Sequence, residues 1–218
     1  MGGTSERTKK ARRGSGPKAV LPIESKGQET RLGLLEAAER ILFEQGVQAL
    51  TVRRIGTVSG LAPTLVTYHF GTISGLLAEM CRCNLEPMLE AWKTIDQHEF
   101  PTLREALQAW LTPLLIPSAF VQGGRALVVL DEMAAHGDVE FRNLLLTPML
   151  ELSNKVQHVL HPFVPHLDAQ TLRARVRFLS AATLGPPPRN YRLDIEEGSP
   201  PLDGIDHLVD FAVAALEN

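Results

Sequence analysis

The chain has 218 residues, 44% of them hydrophobic and 22% charged, a length and composition that fit one large or two small globular domains. No apolar stretch reaches the roughly 18 uncharged residues of a spanning helix. The basic N-terminus has no apolar segment behind it and does not read as a secretory signal, and two cysteines fit a reducing cytoplasm better than a disulfide scaffold. The formal charge of −3 hides an asymmetry: residues 1–31 hold eight basic and three acidic side chains, so this end carries +5 and the remaining 187 residues −8. A basic arm on an acidic body points to a polyanion contact at one end, or to a solvated tail.

Residues 1–27 mix Gly, Ser, Pro and basic residues without apolar periodicity and read as a disordered arm. Leu34, Leu35, Ala38, Ile41 and Leu42 then recur at helical spacing, which predicts a helix over 28–45 stopped by Gly46. Thr51 offers an N-cap to a second, short helix with Val52, Ile55 and Val58 on one face, closed by Gly60. Pro63 suits the first turn of a third short helix ending near His69. Thr72 caps a longer fourth helix towards Trp92, with Pro87 as a point of kinking. Further helices are predicted from Leu103 to Leu114, over 122–136, from a cap at Asp138 towards Leu160 through Pro148, from Asp168 to Leu184, and from Asp203 or Gly204 to the C-terminus. Residues 185–201 contain five prolines and read as a loop between the last two helices. The predicted fold is all-α, with nine or ten helices.

Two short helices joined at a glycine and braced by a preceding helix describe a helix-turn-helix. Gly60 suits the turn, and Gly56 suits the place where the second helix approaches the third. Thr64, Leu65, Thr67 and Tyr68 then stand where a recognition helix meets base edges, and helix N-termini offer N–H groups to phosphates.

Residues 31–77 closely resemble the DNA-binding domain of the TetR family of transcriptional regulators. The resemblance rests on Ala37-Ala38, Phe43, Gly46, Thr51-Val52, Ile55, Ser59-Gly60, His69-Phe70-Gly71 and Leu76-Leu77. It implies a homodimer, with a three-helix DNA-binding domain over 28–74 and a ligand-binding and dimerisation domain over 75–218. The last two long helices of each subunit would form a four-helix interface, their stripes including Val209 and Val213. It also implies a repressor released from a double-stranded palindromic operator by a small apolar effector. Thr51, Arg53, Arg54, Thr64, Leu65, Thr67, Tyr68 and His69 are the DNA-binding candidates, Arg53 and Arg54 as phosphate contacts. No enzyme activity, cofactor, metal or membrane is expected. The chain departs from the family pattern at Ala62, where a Ser cap is usual, at Thr67, where a Tyr is frequent, and at Ile73, where a phosphate-touching Lys is frequent. The last departure leaves open an alternative: a helical dimer with a metal-dependent or interaction role that has lost DNA binding.

Trp92, Trp110, Phe120, Met133, Phe141 and Met149 are candidates for an apolar ligand pocket, with core packing as the competing role. Glu132 and His136 stand four apart on a helix but supply only two metal ligands, too few for a site. Cys81 and Cys83 lie about 200° apart around a helix and are poorly placed to pair.

The arm generates one prediction. If Arg7, Lys9, Lys10, Arg12 and Arg13 neutralise phosphates, deleting residues 7–13 flattens the salt dependence of duplex binding by roughly 0.9 log units for each phosphate no longer neutralised. An unchanged slope in a salt titration reduces the arm to a solvated tail.

Overall fold

A computed structural model describes residues 23–136, 139–184 and 204–217. Of the arm expected to be disordered over 1–27, residues 1–22 lie outside the described residues and 23–27 are helical instead; the Asp138 cap and the proline-rich stretch 185–201 also lie outside.

Nine α-helices are present among the described residues. The first, α1 (Ile23–Gln45), lays Leu34, Leu35, Ala38, Ile41 and Leu42 into the core. It begins five residues ahead of the predicted start at 28, since each residue added to an existing helix gains a hydrogen bond without a new nucleus. Gly46, at φ 80°, ends it, and its N–H donates to the Leu42 carbonyl at 2.9 Å. After a 3-10 turn at Val47–Ala49 come α2 (Val52–Ser59), α3 (Thr64–Phe70) and α4 (Ile73–Trp92). Thr51 and Thr72 are the expected caps: their hydroxyls accept from the N–H groups of Arg54 at 3.1 Å and Gly75 at 3.0 Å.

The body follows as α5 (Leu103–Leu111), α6 (Ala126–His136), α7 (Val139–Leu160), α8 (Ala169–Ala182) and α9 (Ile205–Glu217). Pro87 and Pro148 lie inside α4 and α7, which run on through them. The helix expected over 122–136 starts only at Ala126. The preceding residues fold back instead, with Ser118 N–H donating to Gly124 O at 2.9 Å and Ala126 N–H to Ile116 O at 2.9 Å. Gly123, at φ 82°, makes the reversal. At Gly124 a Cβ would stand 2.6 Å from the Phe43 ring, so this loop sits directly on α1.

One continuous core runs from α1 to α9, with α4 at its centre. The indole N–H of buried Trp92 donates to the Trp110 carbonyl at 2.9 Å and ties α4 to α5. An Arg104–Asp210 ion pair joins α5 to α9, and Arg175 on α8 donates to Ala215 O at 2.6 Å. Val209, Ala212 and Leu216 are buried within the protomer. Val209, expected on a subunit-facing stripe, thus belongs to the protomer's own core; the large apolar side chains left outside on these helices are Phe178 and Phe211. Among the described residues no helix is long and apolar enough to cross a membrane.

Trp110 is 2% exposed at the meeting point of α4 and α5, so Trp110→Ala is expected to cost about 3–5 kcal/mol of stability. Loss of the α4 cap in Thr72→Ala costs about 1 kcal/mol. Urea denaturation of both variants checks the order; equal, small losses would mean that the core around Trp110 is loose.

Candidate nucleic-acid interface

The α2–turn–α3 unit is shaped by its glycines, each for a different reason. A Cβ on Gly56 would lie 2.8 Å from Pro63 Cγ and 3.0 Å from Leu61 O, so only glycine lets α2 meet the turn this closely. Gly60, expected at the turn, has nothing within 4 Å of a Cβ placed there. Its requirement is conformational: φ is 69°, the left-handed region that terminates α2. Ser59 completes the turn, its hydroxyl donating to Gly56 O at 3.3 Å and accepting from Leu61 N–H at 3.2 Å.

With Ala62 in place of a capping side chain, α3 starts on backbone alone. Pro63 already has helical φ and ψ, and Leu65 N–H donates to Ala62 O at 2.9 Å. At the other end Gly71, at φ 73°, turns the chain sharply, with Thr72 N–H donating to Phe70 O at 2.8 Å. This turn has a second glycine requirement that sequence reasoning missed. A Cβ on Gly75 would stand 2.2 Å from Phe70 O, so α4 packs its first turn against the end of α3. The signal was a glycine inside a predicted helix, where only a packing reason offsets its poor helix propensity.

Most of the candidate residues lie on the surface of this unit. Thr51, Arg53, Arg54, Thr64, Thr67 and Tyr68 are exposed, while Leu65 is half-buried and His69 partly so. Tyr68 is 81% exposed, its ring edge-on to His69 with centroids 5.0 Å apart. Val66 points the other way and is fully buried, which fixes the rotation of α3 about its axis. Neither Arg53 nor Arg54 is paired with a carboxylate among the described residues. The Arg54 N–H is already taken by Thr51, so that cap group is not available to a phosphate. Ile73 is half-buried and packs against the core rather than projecting as a Lys would.

Arg31, which adds to the charge of the basic end, has an internal role. Its guanidinium lies 5.2 Å from the centroid of the Phe70 ring and 2.6 Å from Glu79 Oε1. It therefore fastens α1 to the end of α3 and to α4 at once. Arg82 pairs with the same carboxylate at 2.8 Å and with Glu86. The Arg82 hydrogen bond, aided by Arg31, lowers the Glu79 carboxyl to about 2 despite its partial burial.

None of the cavities described among these residues is lined by the six pocket candidates. Trp92, Trp110 and Met133 are buried in the core; Phe120 and Met149 are partly buried against it, and the Phe141 side chain lies outside the described residues. Open cavities occur elsewhere in the body. One of about 540 Å³ lies between the end of α4 and α5, lined by Ile95, His98, Phe100, Glu105 and Pro113 among others. A neighbour of about 300 Å³ shares His98 and Phe100 and adds His158 and Phe163. Glu132, considered as a metal ligand, accepts from the Val47 N–H at 3.2 Å and so links α6 to the turn after α1. Cys81 is buried, and burial pushes its thiol up to about 11; Cys83 is half-buried.

Residues 34–80 match the family model described as bacterial regulatory proteins of the tetR family. No curated protein matches the chain. Among solved structures, a probable transcriptional regulatory protein, RHA5900, superposes with a TM-score of 0.64 at 21% identity, covering 86% of this chain and 97% of that one. The TetR family regulator PfmR from Thermus thermophilus gives 0.62 at 16% identity, covering 85% and 97%. A putative TetR-family regulator from Rhodococcus sp. gives 0.56 at 18%, covering 87% and 97%.

The Glu79 cluster predicts a pH signature. A carboxyl lowered to about 2 in the fold, from an ordinary 4.5, contributes stability that is present above about 4.5 and lost as pH falls towards 2. Glu79→Gln is therefore expected to melt lower than wild type at pH 7 and to converge with it near pH 2. Thermal melts across that range check this; a constant difference would show that the ion pairs contribute nothing.

Residues 34–80 thus match the N-terminal domain model of the tetR family, and the all-helical fold is that of solved structures described as transcriptional regulators.

Proposed function

We propose that the protein is a homodimeric repressor that leaves a palindromic operator when a small apolar effector binds its body. The observation that carries this reading is the outward face of α3. Tyr68 is 81% exposed beside exposed Thr64 and Thr67, while Val66 anchors the opposite face. A large aromatic left mostly in solvent, on a helix braced at both ends, suits contact with a second molecule.

In this reading Thr64, Thr67 and Tyr68 meet base edges, with Leu65 and His69 flanking them. Thr51, Arg53 and Arg54 hold phosphates, and the basic arm adds affinity in place of the missing Lys at position 73. Residues 28–74 form the DNA-reading unit and 75–218 the effector and dimer unit. Phe178 and Phe211, 75% and 56% exposed on α8 and α9, support a subunit interface there. Two-fold symmetry then sets half-sites about 34–36 Å apart, or a multiple of that. The effector region is 95–165, where the cavity beside α5 offers about 540 Å³. Release requires the effector to prefer the conformation with misplaced recognition helices; a coupling of about 1–3 kcal/mol weakens DNA binding roughly 5–150-fold. The protein acts in the cytoplasm and needs no cofactor.

The test is selection of binding sites from a randomised duplex pool with the full chain. A palindromic site is expected. Tyr68→Ala and Thr64→Ala should each lose about 1–3 kcal/mol on that site and less on random duplex. Equal losses on both would remove these side chains from base reading. Phe178→Glu combined with Phe211→Glu should sediment as a monomer and bind only a half-site. A wild-type chain that enriches no sequence would overturn the reading.

A further inference from the structure

Glu39 is fully buried in the middle of α1, with a relative exposure of 0%. Its Oε1 accepts from the Asn84 amide on α4 at 2.8 Å. Its Oε2 accepts from the backbone N–H groups of Phe120 and Val121, at 2.9 and 2.7 Å. Three donors from two separate elements thus converge on one carboxylate. Asn84, 1% exposed, is fixed in turn: its amide also donates to Met80 O at 2.9 Å, and its oxygen accepts from Ala119 N–H at 3.0 Å. The loop over 117–125 is therefore held on α1 by Glu39, on α4 by Asn84, and by the close seating of Gly124 against Phe43.

This arrangement has a definite polarity. Each of these three partners of Glu39 is an N–H donor, and an ionised carboxylate is the one side chain of this shape that only accepts. A Gln in its place turns an NH2 group towards either Asn84 or two backbone N–H groups, leaving buried donors without acceptors. The cluster also lies at a junction. α1 carries α2 on one side, while the 117–125 loop leads directly into α6 and α4 runs into the body.

We propose that Glu39 is a positioning residue: its carboxylate clasps α1 to α4 and to the 117–125 loop, and so makes the helix-turn-helix move with the body. The loop between α5 and α6 is then the element through which a change in the body reaches α1. That regulatory consequence rests on the proposed function; the clasp itself does not, and is tested without DNA.

The experiment is hydrogen exchange on the free, full-length protein, resolved to segments. In Glu39→Gln the amides of Phe120 and Val121 are expected to exchange at least ~10-fold faster, with faster exchange also in α2 and α3 and unchanged rates in α8 and α9. The double variant Glu39→Gln with Asn84→Asp reverses donor and acceptor between the two side chains and should restore part of the protection, the rest being lost because an Asp oxygen then faces Met80 O. If Glu39→Gln fails to fold, Asn84→Ala removes one donor from the clasp and is expected to show the same pattern more weakly. Unchanged exchange at 120–121 would overturn the proposal. So would protection lost equally in α8 and α9, or a double variant no better than the single one, since both describe a generic core defect. On the selected operator, Glu39→Gln should bind at least ~10-fold more weakly than wild type. An opened clasp with unaltered operator affinity refutes the positioning role, whereas a wild type that selects no DNA refutes the proposed function and leaves the exchange result to decide the clasp.

Discussion

A buried carboxylate in the first long helix is the constraint around which the two ends of this molecule are joined. Burial pushes the Glu39 carboxyl above its ordinary range, while hydrogen bonds from Asn84, Phe120 and Val121 pull it the other way. Such a group is tolerated in an apolar interior only when its acceptor capacity is met. Meeting it dictates where α4 and the 117–125 loop must lie relative to α1. The second polar link, Val47 N–H to Glu132, lies further along and connects the next turn to α6. Between them, the apolar stripe of α1 has one allowed register against the body.

The helix-turn-helix is held by a different kind of constraint. Gly56 and Gly75 permit backbone approaches that any Cβ would block, and Gly60 and Gly71 supply left-handed φ at the two helix ends. Rigidity therefore comes from close contact rather than from capping: α3 is only seven residues long and has no side-chain cap. Arg31 closes the arrangement from outside by covering Phe70 while bound to Glu79. A short helix positioned in this way presents Thr64, Thr67 and Tyr68 to solvent at fixed spacing.

The substitution at position 73 also has a structural meaning. Ile73 joins the apolar layer under α4. Where the resemblance leads one to expect a cationic side chain, Ile73 supplies a packing side chain at the α3–α4 corner. Cationic groups elsewhere, at Arg53 and Arg54, remain exposed on α2.

Periodicity and punctuation in the sequence were enough to determine the all-α class, the succession of helices, the caps at Thr51 and Thr72, and the helix-turn-helix with its exposed threonines and Tyr68. Those features are local: they depend on residues three or four apart and on the conformational limits of glycine, proline and capping side chains. The tertiary structure decided what depends on contacts between distant residues. It placed Trp92, Trp110 and Met133 in the core, turned Val209 inward and left Phe178 and Phe211 outside. It folded 122–125 back onto α1, and it brought Glu39 to Asn84, Phe120 and Val121, which are 45 to 82 residues away. An apolar stripe tells which face of a helix is buried, but not which neighbour covers it. Nor does a Glu between Ala38 and Arg40 reveal that three N–H donors await it, because their convergence exists only once the chain has closed.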